Sequence, residues 1–265
     1  MKQHLHLLIL LLFALPVEAQ PTLESLLRAV DAAIEDSEQY EKDKMQRITL
    51  IKDGLKVSGL SLEEEYRINL RLYTEYEAYI CDSARHYINR NIELAVRLNN
   101  REWLNESKLK KVHILATSGL YAEGLRLLET INKQHLSDRL LVDYYMAFEN
   151  IYLYYAEYAQ DDEYMPGYLD KMNSYRDSVL MIVPEGSYQY VIVQGPMLIY
   201  HQQPKEAENL LKTYISGVSS DTREYAILTS ILAFTYQNDS QLELQKMCLA
   251  ESAIADIKAV VKENN

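Results

Sequence analysis

The sequence predicts an all-α fold, a solenoid of about five helix pairs, and three observations carry that prediction. Apolar residues recur at spacings of three and four from Pro21 onward. Turn signals separate these runs, and the breaks fall roughly 36 to 42 residues apart, the period of stacked helical hairpins. Two segments also align with each other: SGLYAEGLRLLETI (118–131) and HQQPKEAENLLKTYI (201–215) share a short turn, a small residue (Gly124 or Ala207), a Leu pair and a later Ile. The small residue lets two helices approach, and the Leu pair fills the groove beside it.

The first segment, MKQHLHLLILLLFALPVEAQ, joins Lys2 to an apolar run from Leu7 to Val17 and ends in Val17-Glu18-Ala19. That pattern predicts a signal peptide over residues 1–19, cleaved after Ala19. Its apolar run is about eleven residues, short of the roughly twenty that span a bilayer. With no Cys beside the junction, lipid anchoring is not expected. Residues 20–265 are read as one helical-repeat domain.

Within that domain Leu23, Leu26, Leu27, Val30, Ala33 and Ile34 trace one face of a first helix. Tyr40, Ile48, Ile51 and Leu55 trace a second, which ends near Gly54 and Gly59. Ser61 with Glu64 reads as a capping box, each side chain meeting a free amide at the helix start. The same device is expected at Ser240 with Glu243, and an acidic variant at Asp221 with Glu224. The run Glu63-Glu64-Glu65 suits a helix N-terminus, where the dipole favours negative charge. Further breaks lie at Gln160-Asp161-Asp162 and Asn238-Asp239-Ser240. Pro204 fits the first turn of another helix, where its missing N–H costs nothing. Residues 188–193 are rich in strand formers, but their place in the repeat predicts a helix kinked at Pro196.

Composition removes several function classes. The net charge is −12 and no basic cluster occurs, so nucleic-acid binding, which needs several Lys or Arg on phosphates, is not expected. The two cysteines, Cys81 and Cys248, are read as buried free thiols, too far apart in a row of repeats to pair. Asn105 and Asn238 match the glycosylation acceptor pattern, which matters only in a eukaryotic secretory route. Outside the leader, His86, His113, His135 and His201 have no partner at metal-ligand spacing. Gly is scarce, and no HExxH, GxSxG, phosphate-binding or dinucleotide loop occurs. The expectation is a non-enzyme with no metal and no cofactor.

The chain has 22 Tyr against 3 Phe and one Trp. They are densest in YYMAFENIYLYYAEYAQDDEY (144–164). On a helix Tyr144, Phe148, Ile151 or Tyr152, Tyr155 and Ala159 share a core stripe, while Tyr154 and Tyr158 face elsewhere beside Glu157. Tyr suits a thin solenoid, because its hydroxyl reaches water or a carboxylate. Tyr154, Tyr158 and Tyr155 are the candidate ligand-binding residues, weighed against plain packing. At the other end, Ile254, Ile257, Val260 and Val261 form an apolar face on the last helix and are the candidate interface.

Ser118 to Glu123, and Asp82-Ser83-Ala84 followed by Tyr87 and Ala95, resemble a tetratricopeptide repeat. Gly124 departs from the Ala usual there, and no repeat ends in the common Pro. A closer resemblance rests on Tyr40, Lys44, Arg47-Ile48 and Lys52, on Asp82-Ser83-Ala84 with Tyr87, on Ser118 to Tyr121, on Tyr175-Arg176-Asp177-Ser178, and on Ser252 to Lys258. These residues are similar to a Bacteroidota-type family of tetratricopeptide membrane proteins often labelled as candidate transcriptional regulators. The resemblance implies an exported repeat domain, then one transmembrane helix and a cytoplasmic part, of which this chain matches only the exported portion. Either the chain is a piece of such a protein, reaching the membrane through a later helix, or it stands alone and forms a homodimer through its last helix.

The leading expectation is a periplasmic domain that binds a peptide or protein segment and acts as the sensor portion of a membrane-tethered regulator. The competing readings are an exported glycan-capture protein and a stand-alone periplasmic assembly adaptor.

Overall fold

A computed structural model of the chain describes residues 21–159, 161–238 and 240–262; the leader expected over 1–19 lies outside them. Twelve α-helices fill the described residues: α1 Leu23–Glu35, α2 Ser37–Gly54, α3 Leu62–Tyr76, α4 Cys81–Arg97, α5 Arg101–Thr117, α6 Tyr121–Glu129, α7 Asp138–Ala159, α8 Met165–Leu180, α9 Tyr188–Tyr200, α10 Pro204–Ile215, α11 Arg223–Asn238 and α12 Leu242–Lys262. A single 3₁₀ turn, Lys133–His135, precedes α7. From α3 onward successive helices form five hairpins stacked in chain order. The helix expected at 188–193, despite its strand-forming residues, is α9, which runs through Pro196.

The helix ends explain the turns. Asn99, Gly119, Gln202 and Ser240 have positive φ, from 50° to 77°. Each is followed by an amide that reaches back to a carbonyl five residues earlier: Asn100 to Ala95, Leu120 to Leu115, Gln203 to Leu198 and Gln241 to Tyr236. These are Schellman stops, in which one left-handed residue satisfies the last free carbonyls. Gly119 and Gln202 hold the same place in the two segments that align in sequence.

Ser240 is therefore the stop of α11 and not the N-cap of α12, which opens later, at Leu242. The expected box at Asp221 and Glu224 is also replaced: Thr222 caps the amide of Tyr225, while Glu224 accepts from the Tyr214 hydroxyl at 2.8 Å. The box at Ser61 and Glu64 forms as read, with the Ser61 N–H donating to Glu64 at 2.9 Å. Thr22 with Ser25 builds another.

The core is divided along the row, as expected where each repeat touches only its neighbours. One cluster centres on Ile48, Leu72, Tyr73 and Ile88, a second on Val112, Leu128, Phe148 and Ile151, and a third on Val191, Leu211, Leu228 and Tyr236. A Cβ on Gly124 would lie 2.9 Å from Ile151 Cδ1, so α6 and α7 approach closely enough here that a side chain would make that methyl shift. Ala207, its counterpart on α10, is fully buried. Cys248 is buried and free as expected, whereas Cys81 is free but only half-buried, because it opens α4 at the chain's turn.

The two N-terminal helices depart from a simple row. α1 packs chiefly on α12 and only lightly on α2, and α2 lies between α3 and α12. The chain thereby closes on itself. Only Leu26 and Ala33 of the expected α1 stripe are buried, while Leu27 and Ile34 face solvent.

Candidate functional site

The first helices of successive hairpins, α3, α5 and α7, line a groove of about 310 Å³. Their inward stripes follow helical spacing: Tyr73 and Glu77 from the α3 end, Glu106, Lys110 and His113 along α5, and Asp143, Met146, Ala147, Asn150 and Tyr154 along α7. Leu109, Val112 and Ala116 supply an apolar floor. Among the described residues no Ser, Thr or Cys lines the groove. Among the described residues no three His, Cys, Asp or Glu side chains are placed to hold a metal.

The polar groups are fixed by neighbours. The buried Tyr73 hydroxyl donates to the Lys110 carbonyl at 3.2 Å, and Lys110 Nζ lies 5.1 Å above the Tyr73 ring. Arg139, at the start of α7, is 3.2 Å from Glu106 and 3.8 Å from Asp143. Desolvation between the helices raises the Asp143 carboxyl, and Arg139 and Lys110 pull it partly back. His113 lines the groove with its side chain exposed to solvent there. Its pKa is held below the usual imidazole value, first by desolvation and with Arg223 and Lys110 adding repulsion against the attraction of Glu77. Arg223 belongs to α11, so the far part of the row contributes its field to this groove.

Tyr154 is the candidate that reaches the groove. Its ring stacks on Tyr121 of α6 at 5.6 Å, and Tyr121 also meets Tyr155 at 5.3 Å and Tyr158 at 6.1 Å. Tyr155 turns the other way into a ladder of rings, 5.1 Å from Tyr168, with Tyr152 and Tyr175 beyond. Tyr158 is 74% exposed. The candidates thus share one aromatic cluster that begins at the groove and ends in solvent. On α12, Ile254 and Ile257 are half-buried on a helix that packs against α11, α1 and α2. The side chains of Val260 and Val261 lie outside the described residues.

Sequence reasoning passed over His113, Lys110 and Asp143. The usable signal was the spacing Glu106, Leu109/Lys110, His113, Ala116, which marks a face of α5 where polar and apolar residues mix.

Helix hairpins stacked around an inner groove define a tetratricopeptide-repeat protein. Residues 34–265 match the family model of the SusR N-terminal TPR domain, and the chain belongs to that family. No curated protein and no solved structure matches the chain. No helix among the described residues is long and apolar enough to cross a membrane.

Proposed function

We propose that this domain binds a peptide or protein segment in the groove of α3, α5 and α7, as the exported sensor portion of a membrane-tethered regulator. The observation that carries the reading is the groove itself. An apolar floor with several fixed polar groups on rigid helices suits an extended segment better than a single small anion or metal. Lys110, His113 and Asn150 offer donors, Glu77 and Asp143 offer acceptors, and the Tyr121 cluster continues the surface. Tyr contributes contact area at low entropic cost. The leader pattern ending at Ala19 supports export, and the family description, an N-terminal domain, supports a place ahead of further segments.

A displayed peptide library panned on the protein tests this. Selected peptides should lose about tenfold or more in affinity with Ala147→Trp, which fills the groove, while circular dichroism stays unchanged. Tyr154→Ala with Tyr158→Ala should weaken the same peptides. Binding untouched by Ala147→Trp would exclude the groove. Enrichment of saccharides and not peptides would favour the glycan-capture reading, and co-purification of one intact protein would favour the adaptor.

A further inference from the structure

Tyr rings in this protein are repeatedly covered by a cation. Lys44, Lys52, Lys110, Lys133, Lys171 and Lys212 each place Nζ between 5.0 and 5.6 Å from a Tyr ring centroid. Two of the covered rings, Tyr145 and Tyr152, lie on α7 itself. The rings of Tyr121, Tyr154 and Tyr158 carry no such cation among the described residues. Of these, Tyr154 lines the groove and Tyr158 stands mostly in solvent.

A carboxylate stands beside them. Glu157 is exposed, acts on both Tyr121 and Tyr154, and has no ion-pair partner among the described residues. Arg126, which acts on the adjoining Tyr155, is engaged by Glu123 at 2.7 Å. Tyr121 and Tyr154 stack on one another and Tyr158 leans against Tyr121, so their outer ring faces, with the negative charge of Glu157 acting on the same cluster, form a complement to an organic cation. Burial and these neighbours keep the Tyr121 and Tyr154 hydroxyls protonated, so the rings stay neutral.

From this we infer that Tyr121, Tyr154 and Tyr158 with Glu157 form a subsite for a basic side chain, arginine above all, of the segment bound in the groove. A planar guanidinium lies flat on Tyr158 or Tyr121 while its edge N–H groups donate to Glu157, a combination that an ammonium satisfies less well. The inference rests on the peptide-binding reading and specifies the chemistry at one end of the peptide.

The test uses small probes, so that it does not depend on a known peptide. N-acetyl-arginine amide and its neutral isostere N-acetyl-citrulline amide are titrated into the protein with labelled Tyr rings, and ring shifts are followed by NMR. Expected are saturable shifts of Tyr121, Tyr154 and Tyr158 with the arginine probe, weak ones with citrulline, and about a two- to five-fold loss of affinity on each of Glu157→Gln and Tyr158→Ala. Both sites are exposed, so folding is not at stake. Equal response to the two probes, or arginine binding indifferent to both substitutions, would overturn the subsite. Such a failure with Ala147→Trp still abolishing peptide binding would leave the groove reading standing; loss of that effect as well would remove both.

Discussion

At the scale of single residues, the most demanding feature is a buried ion pair rather than a groove residue. Arg176 of α8 reaches Glu149 of α7 at 2.7 Å, both side chains at least 90% removed from solvent (8% and 10% exposed). Desolvation pushes the Glu149 carboxyl above the usual range, and Arg176 pulls it partly back. A raised folded pKa means that this carboxyl favours the folded state below its ordinary value, and that the contribution is lost as pH rises through the folded value. Arg176→Met removes the compensation, so it should cost about 3–5 kcal/mol at neutral pH. The cost should shrink toward pH 5, where Glu149 can protonate. Urea unfolding of both proteins at pH 5 and pH 7.5 measures it; an equal cost at both would show that Glu149 is not the group left exposed to the loss. None of this was readable beforehand, because a sequence shows Glu149 and Arg176 at 27 positions' separation without showing that α7 and α8 bring them together.

At the scale of elements, most of the helices were readable and the errors share one cause. The periodic runs located α1, α2 and the turn and helix at 118–131, and the small residue at Gly124 faces the Ile151 methyl at 2.9 Å from where a Cβ would stand. The box at Ser240 was misplaced because Ser serves both helix starts and helix stops and only the backbone angle decides between them, and the one at Asp221 because the adjacent Thr222 is an equally good cap. At Ser61 the box is real. The Ser61 backbone and hydroxyl hydrogen bonds hold the Glu64 carboxyl below its usual value, so the stability this provides is present above the ordinary Glu range and lost as pH falls through the depressed value. Ser61→Ala should destabilise α3 by about 1 kcal/mol at pH 7. Only the part carried by the hydroxyl's bond to the Glu64 carboxylate should fade in acid as Glu64 protonates, while the loss of the cap on the Glu64 amide remains, which thermal melts at pH 7 and pH 3.5 would resolve.

At the scale of the whole molecule, the closure of α1 and α2 onto α12 was not readable, because no local pattern encodes which distant helix an amphipathic face will meet. Repeat logic expects open ends that need caps. Here the two ends of the row cap one another, and α12, which carries the residues read as an interface, packs against α1 and α2 of the same chain. The seam is thin: α1 fully buries only Leu26 and Ala33, worth roughly 2–3 kcal/mol of apolar burial. The family match also begins at Ile34, leaving nearly all of α1 outside it. A charge in this seam costs more than the seam holds, so the cheaper response is to release α1 and keep the hairpins. Ala33→Glu should therefore raise hydrogen exchange in α1 and along α12 while leaving α3, α5 and α7 protected, with a loss of ellipticity worth about one short helix. If α5 and α7 lose protection together with α1, the closed chain unfolds as one unit, and the groove owes its shape to the seam. If they do not, the groove is built by the hairpins alone, and release of α1 is free to expose α12 without disturbing what the groove holds.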